Sequence, residues 1–497
     1  MSAEAPSVSV HPHQKSPIER YAPALLGLIV LAGLLLRVRE AIRTPMWFEE
    51  IYIAMVSHLP VPQVVDTIGH DIHPPLGYLL EHFWESLGGM NPTWLKALPI
   101  TLTVLGLIAC FRLTRKMFGV STALLATAVI ALTRGQARFA TEVQPFALEI
   151  LLVTLAVTAA WDWLETRRTP AAIAYLVCGG LSLYTHYVSL AIVLTLFLWG
   201  AIALRGDRPA LMKWLGLHAL LALIFLPQLP TQIRQFIQED AAHHGHFPYL
   251  TDWLALGRLM ALGATYLIPV YALLAALPLV DPKKRRPASF LWCVSVLPLF
   301  SLRLWSLNFP RETLWVLSLF VPLVAAGVGL LPGRWVRAAA AALLLLLAFK
   351  GDLAPSVFAE PVMLMHAKQE LDRGAQANDV VLDSDTHALL FYRFYDPAHH
   401  HLLLWRGDEG IPYFDGGLMV RPEWRMTPEA FDSLAARDAR WWGVTLNRAQ
   451  VRPVHGHTRT GEYMDSLLST VPGAKAETLS PVKLWQSPAV AREPHSP

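Results

Sequence analysis

The chain has 497 residues, of which 54% are hydrophobic and only 16% are charged, and its mean hydropathy is +0.39. Soluble domains are about 25% charged, so this composition excludes a wholly soluble protein and predicts that lipid surrounds much of the chain. The formal net charge of +3 is too small to indicate a nucleic-acid interface. We therefore expect membrane lipids, and no nucleic acid, among its partners.

Apolar segments long enough to cross a bilayer recur from residue 21 to residue 349. We count about eleven that could span roughly 30 Å of hydrocarbon, and they begin near Pro23, Trp94, Gly119, Phe146, Ala171, Tyr187, Leu211, Leu254, Phe290, Thr313 and Val336. The first of them lacks a small-residue cleavage site, which indicates a retained signal anchor. The sequence thus predicts a mainly α, polytopic membrane helical bundle.

The basic residues of the connectors alternate along the chain. Five connectors on one side of the count carry them, at Arg112–Lys116, Arg167–Arg168, Arg205–Arg208, Lys283–Arg286 and Arg334–Arg337. Basic connectors remain cytoplasmic, so the other connectors and everything after Lys350 are expected on the outer face of a bacterial inner membrane. Arg37, Arg39 and Arg43 break this rule, and they would suit a lipid phosphate.

The composition divides the chain into four parts. We expect a cytoplasmic segment at 1–20, the membrane domain at 21–349, a periplasmic soluble α/β domain at 350–485 and a disordered tail at 486–497. In the soluble part, PVMLMHAKQELDRG has the spacing of an amphipathic helix, and four segments have the character of short strands: DVVLDSD, HHLLLWRG, RWWGVTL and VKLWQ. Helices that alternate with strands are typical of a small α/β domain.

The first outer connector, 38–93, is too long to be a simple link. Its segment MWFEEIYIAM predicts an amphipathic helix lying in the membrane interface, with Trp47, Ile51 and Met55 along one stripe. Glu49 and Glu50 are about 100° apart on such a helix. We therefore expect one of the two carboxylates to face a cavity and the other to anchor the connector.

The same connector continues as GHDIHPPLGYLLEHFW. The two prolines predict an extended corner that delivers His73 to a defined place. Asp71 and His73 could cap this corner, or, together with His70, hold a divalent metal. No cofactor is certain from this pattern, because the spacing matches no dedicated zinc motif.

The later outer connectors add further polar groups. Arg138, Glu142 and Gln144 lie between two spans, where Arg138 and Glu142 have the i,i+4 spacing of a helical ion pair. Tyr184 and His186 occupy a tight turn, and Arg303 and Arg311 lie in the last connector. A carboxylate can act as a general base, and arginines can neutralise a phosphate. The outer face therefore has the groups needed for chemistry at the lipid–water boundary.

Four segments follow one another in an order and at a spacing that resembles the polytopic GT-C glycosyltransferases: MWFEEIYIA, DIHPPLGYLLEHFW, RFATEVQPFALEILL and LYTHYVSLAIVL. The nearest group is the bacterial branch related to protein O-mannosyltransferases and to the aminoarabinose transferases of lipid A. The resemblance covers about residues 20–350, and the HPPL corner is its most specific element.

This resemblance implies an inverting transfer of a hexosyl or pentosyl group. The donor would be a polyprenyl-phosphate-linked sugar, and the acceptor a protein, a lipid or a polysaccharide. Glu49 would be the general base, supported by Glu50 and Glu142. The substrate ligands would be His73, Asp71, Arg138, Gln144, Tyr184, His186, Arg303 and Arg311.

Two positions depart from the family pattern. Glu49 stands where the family usually has Asp, and Gln144 stands where it usually has Arg. These departures leave open an inactive scaffold that keeps the fold. A transporter or flippase of lipid-linked sugars is the other alternative, but it would need polar groups at mid-membrane. Such groups are scarce within the spans, which favours an enzyme.

Overall fold

The computed structural model describes residues 17–243, 250–304, 310–351, 359–405, 417–437, 439–446, 458–479 and 482–491. The first part of the chain is helical, as the apolar segments predict. Its helices are α1 Pro17–Arg43, α2 Phe48–Ser57, α3 Val61–Gly69, α4 Leu76–Gly88, α5 Pro92–Phe118, α6 Val120–Leu132, α7 Arg134–Phe139, α8 Phe146–Thr166, α9 Thr169–Leu183, α10 Val188–Ala203, α11 Arg208–Phe225, α12 Leu229–His243, α13 Leu250–Met260, α14 Ile268–Val280, α15 Arg285–Leu304, α16 Trp315–Val328 and α17 Arg334–Lys350.

Among the described residues, four helices are long and apolar enough to cross a bilayer: Ile18–Arg43, Pro92–Phe118, Phe146–Thr166 and Arg208–Phe225. Leu254–Met260 and Thr265–Val280, bent by 79°, add a fifth if they form one broken span. Four shorter apolar helices accompany them: α6, α9, α10 and α16. The number of about eleven spans stays a prediction.

Helix α16 forms the centre of the bundle. Every residue from Trp315 to Val328 is buried, and the helix packs against α5, α6, α8, α14 and α15. A helix that is apolar on all sides is stable in a protein core or in lipid, and the burial of every residue of α16 places it in the core. This core holds in place the helices whose outer ends carry the polar connectors.

The connectors predicted to be cytoplasmic contact one another. The Lys116 ammonium near the end of α5 contacts the Asp162 carboxylate of α8. The Arg286 guanidinium in the first turn of α15 lies 2.9 Å from the Glu165 carboxylate. The connectors predicted to face outward meet at the opposite side of the bundle, in the candidate active site.

Arg37 does not have the role suggested for it. Its guanidinium is fully buried, and its Nη1 donates to the carbonyl oxygens of Gly33 and Ala131, each at 3.0 Å. Ala131 lies in the last turn of α6, where carbonyl groups lack helical partners. The displaced Arg37 therefore ties α1 to the end of α6, and its assignment to a lipid phosphate is wrong.

The soluble domain contains a six-stranded sheet flanked by helices. Its elements are α18 Ala359–Gly374, β1 Val380–Asp383, α19 Thr386–Tyr395, β2 His400–Leu404, β3 Arg425–Met426, α20 Pro428–Ala435, β4 Trp441–Leu446, α21 Thr458–Ser469, β5 Lys475–Leu479, β6 Val482–Gln486 and α22 Pro488–Ala491. The strand order is β3-β2-β1-β4-β6-β5. Strands β3, β2, β1 and β4 are parallel, whereas β6 is antiparallel to β4 and β5.

The four predicted strands and the predicted helix of this domain are confirmed as β1, β2, β4, β6 and α18. Strand β4 is buried at every residue, which is typical of a central strand covered on both faces. Strands β3 and β5 were not expected, because two residues are too few for a pattern and β5 is largely exposed. The predicted fold class, a mainly α membrane bundle followed by an α/β domain, is confirmed.

Helix α2 differs from its prediction. Eight of its ten residues are buried, from Phe48 to Ser57, because α4 and α19 pack against it. Phe48 and Ile51 belong to the same buried cluster as Leu390 and Phe391 of α19. The expectation of an amphipathic helix lying in the membrane interface is therefore wrong. The helix is enclosed between the membrane bundle and the soluble domain.

Candidate active site

Glu50 anchors the beginning of α2. Its Oε2 accepts the Trp47 amide at 3.1 Å, which is half of a capping box. Its Oε1 accepts the amide of Val143, in the second outer connector, at 2.9 Å. The carboxylate thus joins two connectors separated by 93 residues. Burial raises the pKa of Glu50, and these two amides and the Lys96 ammonium oppose that rise.

Glu49 points in another direction from the same helix. It is half-buried, and its Oε2 accepts a hydrogen bond from the Gln144 side-chain amide at 2.9 Å. The neighbouring carboxylates therefore contact consecutive residues of the second connector, Val143 and Gln144. As their spacing on the helix predicts, the two carboxylates point in different directions, and Glu50 anchors the connector. That Glu49 faces a cavity stays a prediction.

Lys96 supplies a positive charge close to Glu50. Its Nζ lies 3.9 Å from Glu50 Oε1, and only 5% of the lysine side chain and 1% of the glutamate side chain are exposed. The ammonium also donates to the Thr44 carbonyl oxygen at 2.6 Å. A buried charge without a partner is costly, so the Lys96 ammonium favours the ionised form of Glu50 and opposes the effect of burial on its pKa.

The His-Pro-Pro corner packs against two of the later connectors. A Cβ added to Gly77, in the first turn of α4, would lie 2.8 Å from the Pro145 Cβ. Only glycine permits this approach without a shift of either chain. The Leu76 amide donates to the Tyr184 carbonyl oxygen at 3.0 Å. Three of the four connectors that carry predicted site residues are thus in direct contact.

Asp71 accepts hydrogen bonds that stabilise this corner. Its Oδ1 accepts the Ile72 amide at 2.8 Å, and its Oδ2 accepts the Tyr78 hydroxyl at 3.3 Å. Burial raises the pKa of Asp71 to about 6, although these hydrogen bonds favour the ionised form. Asp71 therefore supports α4 from within, as the corner-capping interpretation expects, and its role as a substrate ligand stays a prediction.

The three residues of the H-D-x-H pattern do not converge on a metal. The His70 ring nitrogen Nδ1 faces its own helix, 2.9 Å from the Asp66 carbonyl oxygen, while Asp71 is turned inward. In the described ranges, the ligand atoms of Asp372, Asp396 and His399 come close enough to hold an ion. That group belongs to the soluble domain, so it gives no support to a metal at this corner.

Replacing Asp71 with asparagine is expected to make the free energy of unfolding less dependent on pH between about pH 4 and pH 6. The folded chain keeps the Asp71 proton up to about pH 6, whereas the unfolded chain loses it near pH 4. The native state therefore binds more protons between these values, and the free energy of unfolding falls by up to about 3 kcal/mol as pH rises through them. Thermal unfolding of purified Asp71→Asn at pH 4 and pH 7 measures this.

The exposed Asp432 of α20 offers a matched control. Asp432→Asn should leave the pH dependence of the unfolding temperature as it is in the wild type. A wild-type profile whose slope between pH 4 and pH 6 survives in Asp71→Asn would contradict the assignment.

His73 and His186 lie side by side. Their ring centroids are 5.7 Å apart, and Phe146 packs 5.8 Å from the His186 ring. His186 Nδ1 accepts the Val188 amide at 3.3 Å and lies 3.8 Å from Glu149 Oε1. The corner and the tight turn therefore bring two imidazoles together with a buried carboxylate.

The remaining predicted residues have varied surroundings. The Tyr184 hydroxyl donates to the Ile224 carbonyl oxygen at 2.8 Å, a contact that secures the end of α11. Arg138 and Glu142 do not have the geometry of a helical i,i+4 pair, because α7 ends at Phe139, between them. The side chains of Arg303 and Arg311 lie outside the described residues.

Three charged residues of this region were not among the predicted site residues: Lys96, Glu149 and Glu81. Lys96 and Glu149 each stand alone near the outer end of an apolar span, where an ionisable group is costly, and that isolation was the available signal. Glu81 lines a small cavity together with Gly77 and Gln144. Burial raises the pKa of Glu81 to about 8, and the neighbouring carboxylates of Glu85 and Glu50 add to the rise.

No protein-family model and no curated protein matches the chain. Solved structures do. ArnT from Cupriavidus metallidurans bound to undecaprenyl phosphate matches with a TM-score of 0.61 at 13% identity, covering 95% of this chain and 100% of that one. Its apo state matches with the same TM-score and identity, covering 95% and 99%.

The apo form of the Archaeoglobus fulgidus oligosaccharyltransferase matches with a TM-score of 0.51 at 12% identity, covering 88% of this chain and 71% of that one. Both proteins are GT-C fold glycosyltransferases. At these identities the likeness is one of fold. The chain therefore has the GT-C fold, as the resemblance of the four segments, with HPPL the most specific element, predicted.

Proposed function

We propose that the protein is a membrane glycosyltransferase that moves a sugar from a polyprenyl-phosphate donor to a protein, lipid or polysaccharide acceptor. One observation carries the proposal. The half-buried carboxylate of Glu49 is hydrogen-bonded by Gln144 at the meeting point of two outer connectors. The fold supports it, because the chain shares that fold over nearly its whole length with an ArnT structure that contains undecaprenyl phosphate.

Glu49 is the better candidate for the general base. Glu50 is buried, and each of its two carboxylate oxygens already accepts a backbone amide. Glu49 is partly exposed, and its Oε2 accepts a hydrogen bond from the Gln144 side-chain amide. That hydrogen bond fixes the direction of the carboxylate without protonating it, as a positioned base requires. Glu50 supports the reaction by holding the beginning of α2.

The chemical step needs no nucleotide. Glu49 takes the proton of an acceptor hydroxyl or amine while the acceptor atom forms a bond to the anomeric carbon. The bond between that carbon and the phosphate oxygen breaks on the opposite face of the sugar. Polyprenyl phosphate leaves with the electron pair, and the anomeric configuration inverts. His73 and Arg138, with Arg303 and Arg311, are proposed as ligands of the leaving phosphate.

The site is proposed to face the periplasm. The basic connectors at the other end of the bundle support this orientation, because such connectors remain in the cytoplasm. The soluble domain packs against α2 through α19, so it lies on the same face as Glu49. The donor lipid would reach the site from the outer leaflet of the inner membrane.

Purified protein in liposomes with a labelled polyprenyl-phosphate sugar tests the proposal. The expected result is release of polyprenyl phosphate that depends on an added acceptor fraction from the bacterial envelope. Movement of the labelled lipid between leaflets with no release would support a transporter instead. Binding of the lipid with neither movement nor release would support an inactive scaffold.

Replacing Gln144 with alanine is expected to lower kcat about tenfold, because Glu49 loses the donor that orients its carboxylate. Gln144→Arg, which keeps a donor and introduces the residue usual in the family, should retain more activity than the alanine variant. Release of polyprenyl phosphate measures both. Gln63→Ala, at an exposed position of α3, is the control, and equal kcat values for all four proteins would remove Gln144 from the site.

A further inference from the structure

We infer that the soluble domain sets the position of Glu49, and that Tyr395 and His387 of α19 are the positioning residues. The inference rests on the proposed function only for its kinetic consequence. It concerns the short segment that enters α2, because the residues just before Glu49 fix where the carboxylate lies. The contacts that carry it join residues separated by more than 300 positions in the chain.

The first contact holds the backbone. The amide of Met46 donates to the Tyr395 hydroxyl oxygen at 2.8 Å. Met46 is fully buried, so no solvent molecule can readily replace this acceptor. A buried amide that loses its acceptor is costly. The chain just before α2 therefore depends on a side chain of the soluble domain.

The second contact holds a side chain. The ring of Phe48, immediately before Glu49, stacks on the imidazole of His387 with centroids 3.5 Å apart and planes 5° apart. His387 Nδ1 lies 3.1 Å from the Glu360 carboxylate of α18. The imidazole is therefore oriented from its own domain and presents a flat surface to Phe48.

The two contacts are part of a continuous boundary. Phe48, Ile51 and Ile53 of α2 belong to one buried cluster with Leu390 and Phe391 of α19. Burial raises the pKa of the Tyr395 phenol, the hydrogen bond from the Met46 amide lowers it, and the nearby Glu50 carboxylate raises it. Tyr395 thus lies close to the acidic pair as well as to the backbone before it.

The other supports of the segment come from the membrane domain. Lys96 donates to the Thr44 carbonyl oxygen, and Glu50 accepts the Trp47 amide. Met46 and Phe48, in contrast, are held by α19. Residues on both sides of Trp47 therefore depend on the soluble domain. A small displacement of a catalytic group has a large kinetic effect, since about 1 Å can change a rate by about 100-fold.

The experiment compares two tyrosines of the same helix. Tyr395→Phe removes the acceptor of the Met46 amide. Tyr392→Phe, three residues earlier, removes a hydroxyl that donates to the Leu364 carbonyl oxygen at 3.1 Å, entirely within the soluble domain. If the inference is right, Tyr395→Phe lowers kcat about tenfold with KM for the donor unchanged. Tyr392→Phe leaves kcat at the wild-type value, even if both variants unfold at lower temperature.

Hydrogen exchange gives a readout that does not depend on activity. A peptide covering residues 44–57 should exchange several-fold faster in Tyr395→Phe than in the wild type or in Tyr392→Phe. Unchanged exchange of this peptide in Tyr395→Phe would overturn the inference. A wild type that exchanges as expected but shows no sugar transfer would instead contradict the proposed function and leave the positioning intact.

His387 provides a rescue test. His387→Ala removes the ring on which Phe48 stacks, whereas His387→Phe keeps an aromatic surface and loses only the interaction with Glu360. We expect the alanine variant to lower kcat and accelerate exchange of residues 44–57, and the phenylalanine variant to restore both toward wild type. If the phenylalanine variant is as impaired as the alanine variant, stacking on Phe48 does not position Glu49.

Discussion

Glu49→Gln is expected to lower the rate of sugar transfer by about 100- to 10,000-fold, the contribution usual for a general base. Glutamine has nearly the shape of glutamate and can still contact the Gln144 side chain, but it cannot accept the acceptor's proton. The loss should therefore appear in kcat, with little change in donor affinity. Release of polyprenyl phosphate and equilibrium binding of the labelled donor measure the two quantities.

Two further variants make this result specific. Glu49→Asp keeps a carboxylate and introduces the residue usual in the family, so it should transfer sugar faster than Glu49→Gln. Glu423→Gln removes an exposed carboxylate of the soluble domain and should transfer at the wild-type rate. Transfer by Glu49→Gln at the wild-type rate would exclude Glu49 as the base and direct attention to Glu142.

Lys96→Met is expected to destabilise the protein by about 3–5 kcal/mol, because it leaves the buried Glu50 carboxylate without its cation. The Thr44 carbonyl oxygen loses its donor as well. The unfolding temperature of the purified protein in detergent should fall, and sugar transfer should fall with it. Both effects follow because α2 and the residues just before it lose the contacts that Lys96 makes with Glu50 and with the Thr44 carbonyl oxygen.

A double variant separates charge from packing. Glu50→Gln combined with Lys96→Met removes both charges and should be more stable than Lys96→Met alone, since no unpaired carboxylate remains. If the double variant is less stable than the wild type by the sum of the two single-variant effects, Lys96 and Glu50 do not act as a pair, and the lysine contributes through its methylene groups or through Thr44.

The acidic pair, Glu49 and Glu50, shows what a local sequence pattern can predict and what it cannot. Helical geometry alone predicts that Glu49 and Glu50 point in different directions, and the structure places one inside the protein and one partly exposed. The same pattern predicts a helix in the membrane interface, and this is wrong. An amphipathic stripe indicates that one face is apolar, but not whether lipid, the bundle or a soluble domain covers it.

The strands show the same division. The segments RWWGVTL and VKLWQ predict β4 and β6, because β-branched and aromatic residues are favoured in a buried sheet. Strand β3, with two residues, and the exposed β5 have no such pattern. Pairing with neighbouring strands creates them, and pairing is a property of the assembled sheet.

The sequence by itself determined that this is a membrane protein and that its basic connectors alternate along the chain, and its acidic pair and HPPL corner resemble those of the GT-C glycosyltransferases. Each of these depends on composition or on residues close together in the chain. Only the tertiary structure decided that Lys96 pairs with Glu50, that Gln144 holds Glu49 and that Tyr395 holds the chain before α2. Those contacts join residues 46 to 349 positions apart, so packing and burial select them, and no local periodicity records them.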